Sequence, residues 1–432
     1  MRLTGLGKFV ILIVALGMAV GGWRIWQSQS AQSGRPGGGF QLPRVNMPNL
    51  GGRNNGANDG GNNSGNDGGN DGGNNTNGSQ ETTQGNNDSG VVEIPFVITA
   101  AKKDWVGEQV DRFNAANDGK WRIVTKPIPS REAMHGILNG SAKPVLWSPG
   151  SPVWPARLAE AYSQQHNKTI LDLSDPNAYR VFLRSPLVFL TTRRKASFLR
   201  PLLGGSDPWG ALRQLSTGQR KTPWGGFRFS HADPLTSSSG VMTLGLILFD
   251  YAQKTGQTDS LAQVAVSKRF IGYMRELDRS LVYDNPAREG TTKLTNAFLE
   301  DPTRYDVITA YESAALAAAP KNAQIAVIYP NPTAVSEHAV TLLNAEWVSD
   351  EQRQGALAFL QFLGSKESLQ GGLKYYFRPA QAGSSLSLTP VLARYNAQGF
   401  KDSFATVELP PYEALNAASY QWHNQIIKQR QF

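Results

Sequence analysis

The sequence predicts an α/β protein built as two lobes, and three observations carry that expectation. The chain has 432 residues, more than one compact domain of ordinary size holds. From Val91 onward, short apolar runs alternate with stretches of helical periodicity. Polar, glycine-bearing turns recur where the apolar runs end. Strands interleaved with helices imply a largely parallel sheet covered on both faces, with ligands received beyond the carboxyl ends of the strands.

The amino-terminal stretch departs from that pattern. Arg2 and Lys8 precede an apolar run from Phe9 to Val20, and Trp23 and Trp26 are placed as interfacial anchors. Residues 1–28 therefore read as a membrane anchor or signal segment that exports the remainder of the chain, and the poorly formed cleavage site favours an uncleaved anchor. Residues 29–90, with runs such as Gly60-Gly61-Asn62-Asn63, carry almost nothing apolar to bury and read as a disordered linker. At about 60 residues, such a coil has an end-to-end distance on the order of 40 Å. Its Asp-Gly-Asn repeats lack the regularly placed apolar residue that a calcium-binding β-roll requires.

Composition excludes several classes of function. There is no cysteine, hence no disulfide, thiolate metal site, cysteine nucleophile or lipidated cysteine. The formal net charge of +9 arises from basic residues scattered among acids, which reads as a mildly basic solvated surface and disfavours nucleic acid as a partner. None of the 5 histidines forms a His-x-x-x-His pair for zinc. His231 and His338 read as hydrogen-bonded loop residues. No Gly-x-Ser-x-Gly nucleophile elbow occurs, and His231, Asp233 and Ser237 to Ser239 lie too close in one loop to align as a triad. The expectation is a binding protein with no catalytic residue, cofactor or metal.

In the globular region, residues 91–100 read as a strand interrupted only by Pro95, and 103–114 as a helix with Trp105, Val106, Val110 and Phe113 on one face. Further strands are predicted over 121–128, 144–147, 185–192, 227–230, 305–313 and 325–330, and further helices over 131–139, 154–164, 241–254 and 291–299. A long amphipathic helix opens at Ser349, with Ala356, Phe359, Leu360 and Leu363 on its apolar side. Three strand ends carry suitable chemistry for a ligand. Thr99 begins the turn after the first strand, and Ser148-Pro149-Gly150-Ser151 follows the third. The third is His231-Ala232-Asp233-Pro234-Leu235-Thr236-Ser237-Ser238-Ser239-Gly240, which runs into an apolar helix. Four successive hydroxyls at a helix start exceed what one cap needs, and unpartnered N–H groups with a positive dipole end favour an anion there.

These motifs, with Asp306-Val307-Ile308-Thr309-Ala310-Tyr311-Glu312-Ser313, Tyr329-Pro330 and Phe377-Arg378-Pro379 in the same order, resemble the type 2 periplasmic solute-binding proteins. The likeness is to the sulfate- and molybdate-binding branch and spans Val91 to Pro379. It implies two lobes, each a mixed sheet flanked by helices, with the ligand in the cleft between them. The chain would divide into 91–188 as the first part of lobe one, 189–320 as lobe two, and 321–432 as the rest of lobe one with a C-terminal tail. Crossings would fall near 185–191 and 319–325. Carried over by position, the ligand contacts are Thr99, Ser148 and Ser151 from one lobe and Thr236, Ser237, Ser238, Ser239 and Tyr311 from the other. Glu312 either joins them, accepting a hydrogen bond from a ligand that carries a proton, or turns away to a basic neighbour. The implied function is capture of a small oxyanionic solute by a monomer, anchored to the membrane by its N-terminal segment, for an ABC-type permease. A membrane-tethered sensor or scaffold module without a permease is the alternative.

Overall fold

The computed structural model describes residues 90–380 and 386–430, so the expected anchor over 1–28 and the linker, save Gly90, lie outside the described residues. Among the described residues, no helix is long and apolar enough to cross a membrane.

The first lobe is organised on β1 (Val92–Ile98), which lies between the parallel strands β2 (Trp121–Pro127) and β3 (Leu146–Ser148). Ile94, Phe96, Val97 and Ile98 are buried, as befits a strand covered on both faces. Pro95 does not interrupt it. β3 pairs with β1 only from Phe96 onward, so the missing N–H costs no ladder bond. Helices Lys103–Ala116 and Asp350–Leu363 cover one face through Trp105, Val106, Phe113 and Phe359. Helices Ser130–Leu138 and Val153–His166 cover the other through Met134, Ile137, Trp154 and Leu158.

β4 (Tyr179–Thr192) is 14 residues long and serves both lobes. Its first half pairs antiparallel with β8 (Val335–Leu342), and its second half with β6 (Val307–Tyr311) and β7 (Ile325–Ile328). The handover falls between Pro186 and Leu187, inside the predicted first crossing. β8 also pairs antiparallel with β3, β5 (Phe229–Ser230) runs parallel to β6, and β9 (Arg378–Pro379) pairs with β4. Both sheets are therefore mixed, as the resemblance implied, rather than largely parallel. The chain leaves the first lobe along β4 and returns along β8, and an outgoing and a returning strand at one hinge must oppose each other.

Two boundaries differ from the expectation. β7 still pairs with β4 in the second sheet, so the return crossing lies between Ile328 and Val335, later than 319–325. A short, wholly buried apolar run reads alike in either sheet, and only pairing assigns it. The tail also packs elsewhere than the sequence division places it. Leu388, Leu392 and Phe400 join the second-lobe core beside Ile308 and Val327, and Trp422, Ile426 and Ile427 pack near Phe229 and Leu248. Helix Tyr412–Trp422 straddles the lobes, because its Leu415 enters the first-lobe cluster around Trp154 and Leu158.

Candidate functional site

The turn at the end of β3 and the hydroxyl run of the second lobe meet face to face. Trp154 Nε1 donates to Ser238 Oγ at 3.0 Å, and Ser130 Oγ lies 3.2 Å from the same oxygen. Gly150 N donates to Ser130 Oγ at 3.0 Å, and Gly150 O accepts from Ser336 Oγ at 2.7 Å. Gly150 is required by this approach, because a Cβ there would stand 2.9 Å from Ser238 Oγ. Tyr311 reaches across from β6 with its hydroxyl 3.5 Å from Gly150 O. Behind this seam, Ser237, Ser239 and Thr291 form a hydroxyl triangle with O···O distances of 3.3, 2.7 and 2.5 Å.

Beside the seam lies a cavity of about 590 Å³ lined from both lobes, including Lys102, Trp105, Thr291, Thr295, Tyr311 and Phe377. Two helices begin at its wall, Lys103–Ala116 from the first lobe and Thr291–Glu300 from the second, and neither has a side-chain cap on its first N–H groups. Gly290, with φ of 115°, turns the chain into the second of these. The start at Thr291 thus offers free N–H donors and a positive dipole end, whereas the Lys103 N–H is already bonded to Ala100 O in the 3-10 turn that precedes its helix.

Lys102 is the decisive side chain. It is 1% exposed, and its ammonium donates to Ser148 Oγ at 2.8 Å and to Pro149 O at 2.7 Å. Ser148 Oγ in turn donates a hydrogen bond to Ala339 O at 2.5 Å. These partners are neutral, and among the described residues no carboxylate lies within ion-pair distance of Lys102. An ammonium has three N–H donors, so one remains after these two bonds. Burial holds its pKa well below the ordinary lysine value. His338 lies close by on β8, not in a loop, packed against Tyr311 and Phe377. Neither of its ring nitrogens has a partner, and burial followed by the Lys102 charge lowers its pKa as well. His231 does bond as expected, its Nδ1 lying 2.9 Å from Ala232 O.

The sequence-predicted residues divide into groups. Tyr311 lines the cavity itself, and Ser148, Ser237 and Ser239 bond to Lys102 and Thr291, which line it. Ser151 and Ser238 are buried in the seam, and Thr99 keeps a buried hydroxyl without a partner at the start of the Lys102 turn. Thr236 points away, bonding Arg288 O at 3.1 Å near the surface. Glu312 does not face the cleft. Arg378 grips both carboxylate oxygens at 2.7 Å, and the Tyr329 hydroxyl donates to one of them. Tyr311 ends the strand and Glu312 opens the helix Glu312–Ala318, and the turn between them sends the two side chains to different partners. Lys102, Thr291 and Thr295 went unpredicted. The signal for the threonines was a helix opening on Gly290 without a capping residue, whereas nothing in the sequence separates buried Lys102 from exposed Lys103.

Residues 95–378 match the profile of a family described as bacterial extracellular solute-binding protein. Among solved structures, the chain is similar to the periplasmic binding protein AfuA from Actinobacillus pleuropneumoniae, with exogenous fructose-6-phosphate bound. That likeness has 14% identity and a TM-score of 0.53, covering 78% of this chain and 99% of that one. It is similar also to the sulfate-binding protein SubI from Mycobacterium tuberculosis, at 17% identity, 79% and 99% coverage and a TM-score of 0.50. A third is the Trichodesmium protein IdiA (FutA) in complex with iron and citrate, at 14% identity, 78% and 99% coverage and a TM-score of 0.51. At these identities the likeness is one of fold. No curated relative matches the chain.

Proposed function

The chain belongs to the bacterial extracellular solute-binding proteins, and from that premise we propose that it captures an oxyanionic solute between its lobes for an ABC-type importer. The similar structures are named for sulfate, for iron with citrate and for fructose-6-phosphate, so the ligand class rests on this chain's own residues. One observation carries it. A buried lysine without a carboxylate partner is costly to keep, and an anion in the adjoining cavity offsets that cost.

In this reading the anion accepts the third N–H of Lys102 from the first lobe and the free N–H groups at the start of helix Thr291–Glu300 from the second. Charge-assisted bonds of this kind are about twice as strong as neutral ones. Because the donors come from opposite lobes, only the closed arrangement engages them all, and ligand shifts the open–closed equilibrium by that difference. Residues 1–28 would hold the domain at the outer face of the cytoplasmic membrane, with 29–90 as its leash.

The test is a calorimetric and thermal-shift panel of sulfate, molybdate, phosphate, amino acids and neutral sugars on the wild type and on Lys102→Met. An anion at 1,000 times its dissociation constant stabilises the fold by about 4 kcal/mol. The expected result is an anion-specific shift that Lys102→Met removes while its circular dichroism stays native. Silence towards every anion, or equal binding by the variant, ends the proposal.

A further inference from the structure

We infer that the solute is an organic oxyanion, a tetrahedral anionic head on a polyhydroxylated body, rather than a bare inorganic ion. This rests on the anion reading of Lys102 and adds the size and polarity of what lies beyond it. A tetrahedral oxyanion displaces about two waters, on the order of 60 Å³ at about 30 Å³ each. The cavity holds about 590 Å³, well within the range of roughly 300–1,000 Å³ typical of sites for organic ligands. The excess is not slack left by separated lobes, because Trp154, Ser130 and Gly150 of one already touch Ser238 and Tyr311 of the other.

The lining also carries hydroxyl and amide groups. Thr295, 3% exposed on the cavity wall, has a buried Oγ1 with no hydrogen-bond partner. A buried hydroxyl left unpaired is costly, and a polar group on the ligand, such as a hydroxyl, completes it. Thr292, Asn296 and Asn322 add donors and acceptors around the same space, and Tyr375 and Tyr376 stand on its wall. Lys321 and Lys103 stand exposed at the mouth, facing in sign the one exposed carboxylate there, Asp104. Inorganic sulfate can accept one bond from Thr295 but fills only a small part of the cavity, which a larger body must occupy.

Isothermal titration of the full chain with inorganic phosphate, inorganic sulfate, glucose, glucose 6-phosphate and glucose 6-sulfate decides the matter. The expected result is that an esterified sugar binds at least 30-fold more tightly than its inorganic ion and than glucose. Thr295→Val, which keeps the shape and removes the hydroxyl, should lower the sugar-ester affinity at least fivefold more than that of the inorganic ion. Inorganic sulfate or phosphate binding as tightly as the esters overturns the inference and leaves the oxyanion proposal standing. Glucose binding as tightly as its esters, or no binding by any of the charged probes, overturns the oxyanion proposal and the inference with it.

Discussion

Replacing Arg378 by methionine tests whether Glu312 belongs to the hinge or to the ligand. The guanidinium holds Glu312 through two bonds of 2.7 Å and reaches the tail through Asp402 O at 2.7 Å and Lys401 O at 2.6 Å. Glu312 is fully buried, and the Arg378 side chain is 18% exposed. Arg378→Met leaves the carboxylate with Tyr329 alone. Removing one member of a buried pair costs about 3–5 kcal/mol, because an uncompensated charge remains. The two bonds to tail carbonyls add little, since water replaces them at that partly exposed edge. Against the roughly 5–15 kcal/mol that holds a domain folded, the expected loss is a large fraction. Urea denaturation should show the midpoint falling with the slope unchanged. The double variant Arg378→Met with Glu312→Gln should recover more than half of the loss, since no charge is then stranded. A cost below about 1 kcal/mol for Arg378→Met would refute the reasoning. So would a well-folded Glu312→Gln protein that no longer binds any anion.

Two further outcomes arise from the seam and from Lys102. Gly150→Ala sets a methyl against Ser238 Oγ at 2.9 Å and should prop the lobes apart. Anion affinity should fall by about tenfold, equivalent to about 1.4 kcal/mol, with a larger radius of gyration in solution scattering; unchanged scattering and affinity would dismiss the seam as a closure contact. Burial depresses the Lys102 pKa, so between that value and the ordinary lysine value of about 10.4 the unfolded chain binds more protons than the folded one. Ligand-free stability should therefore rise with pH through that window, less so in Lys102→Met, and His338 adds a change of the same sign up to about pH 6.5. Identical pH profiles for wild type and Lys102→Met in denaturant titrations would contradict it.

Much of the fold was readable because buried strands announce themselves as apolar runs. The strand around Phe96 and the helix bearing Trp105 and Phe113 stand close to where periodicity set them. What stayed hidden depends on partners distant in sequence. Strand direction, the sheet to which Ile325–Ile328 belongs and the lobe against which Trp422 packs are decided by pairing and not by pattern. The site divides in the same way. Runs of hydroxyls such as Ser237 to Ser239 are conspicuous locally, whereas Lys102 differs from its neighbour Lys103 only in turning inward to Ser148 and Pro149, some 46 and 47 positions away. Glu312 was hidden for the same reason, since it opens the helix after the strand, where alternation no longer applies, and its partner Arg378 lies 66 positions away.

Helix Tyr412–Trp422 works as a check-strap on the jaw. With Leu415 embedded among first-lobe side chains and Trp422 among those of the second, wide gaping would drag a leucine into water at a cost of about 1.5–3 kcal/mol. Arg131 and Arg157 add softer stitches, to Asn416 at 3.0 Å and to Glu413 at 3.8 Å. The cheapest excursions are therefore small rocking movements that keep this bolt seated.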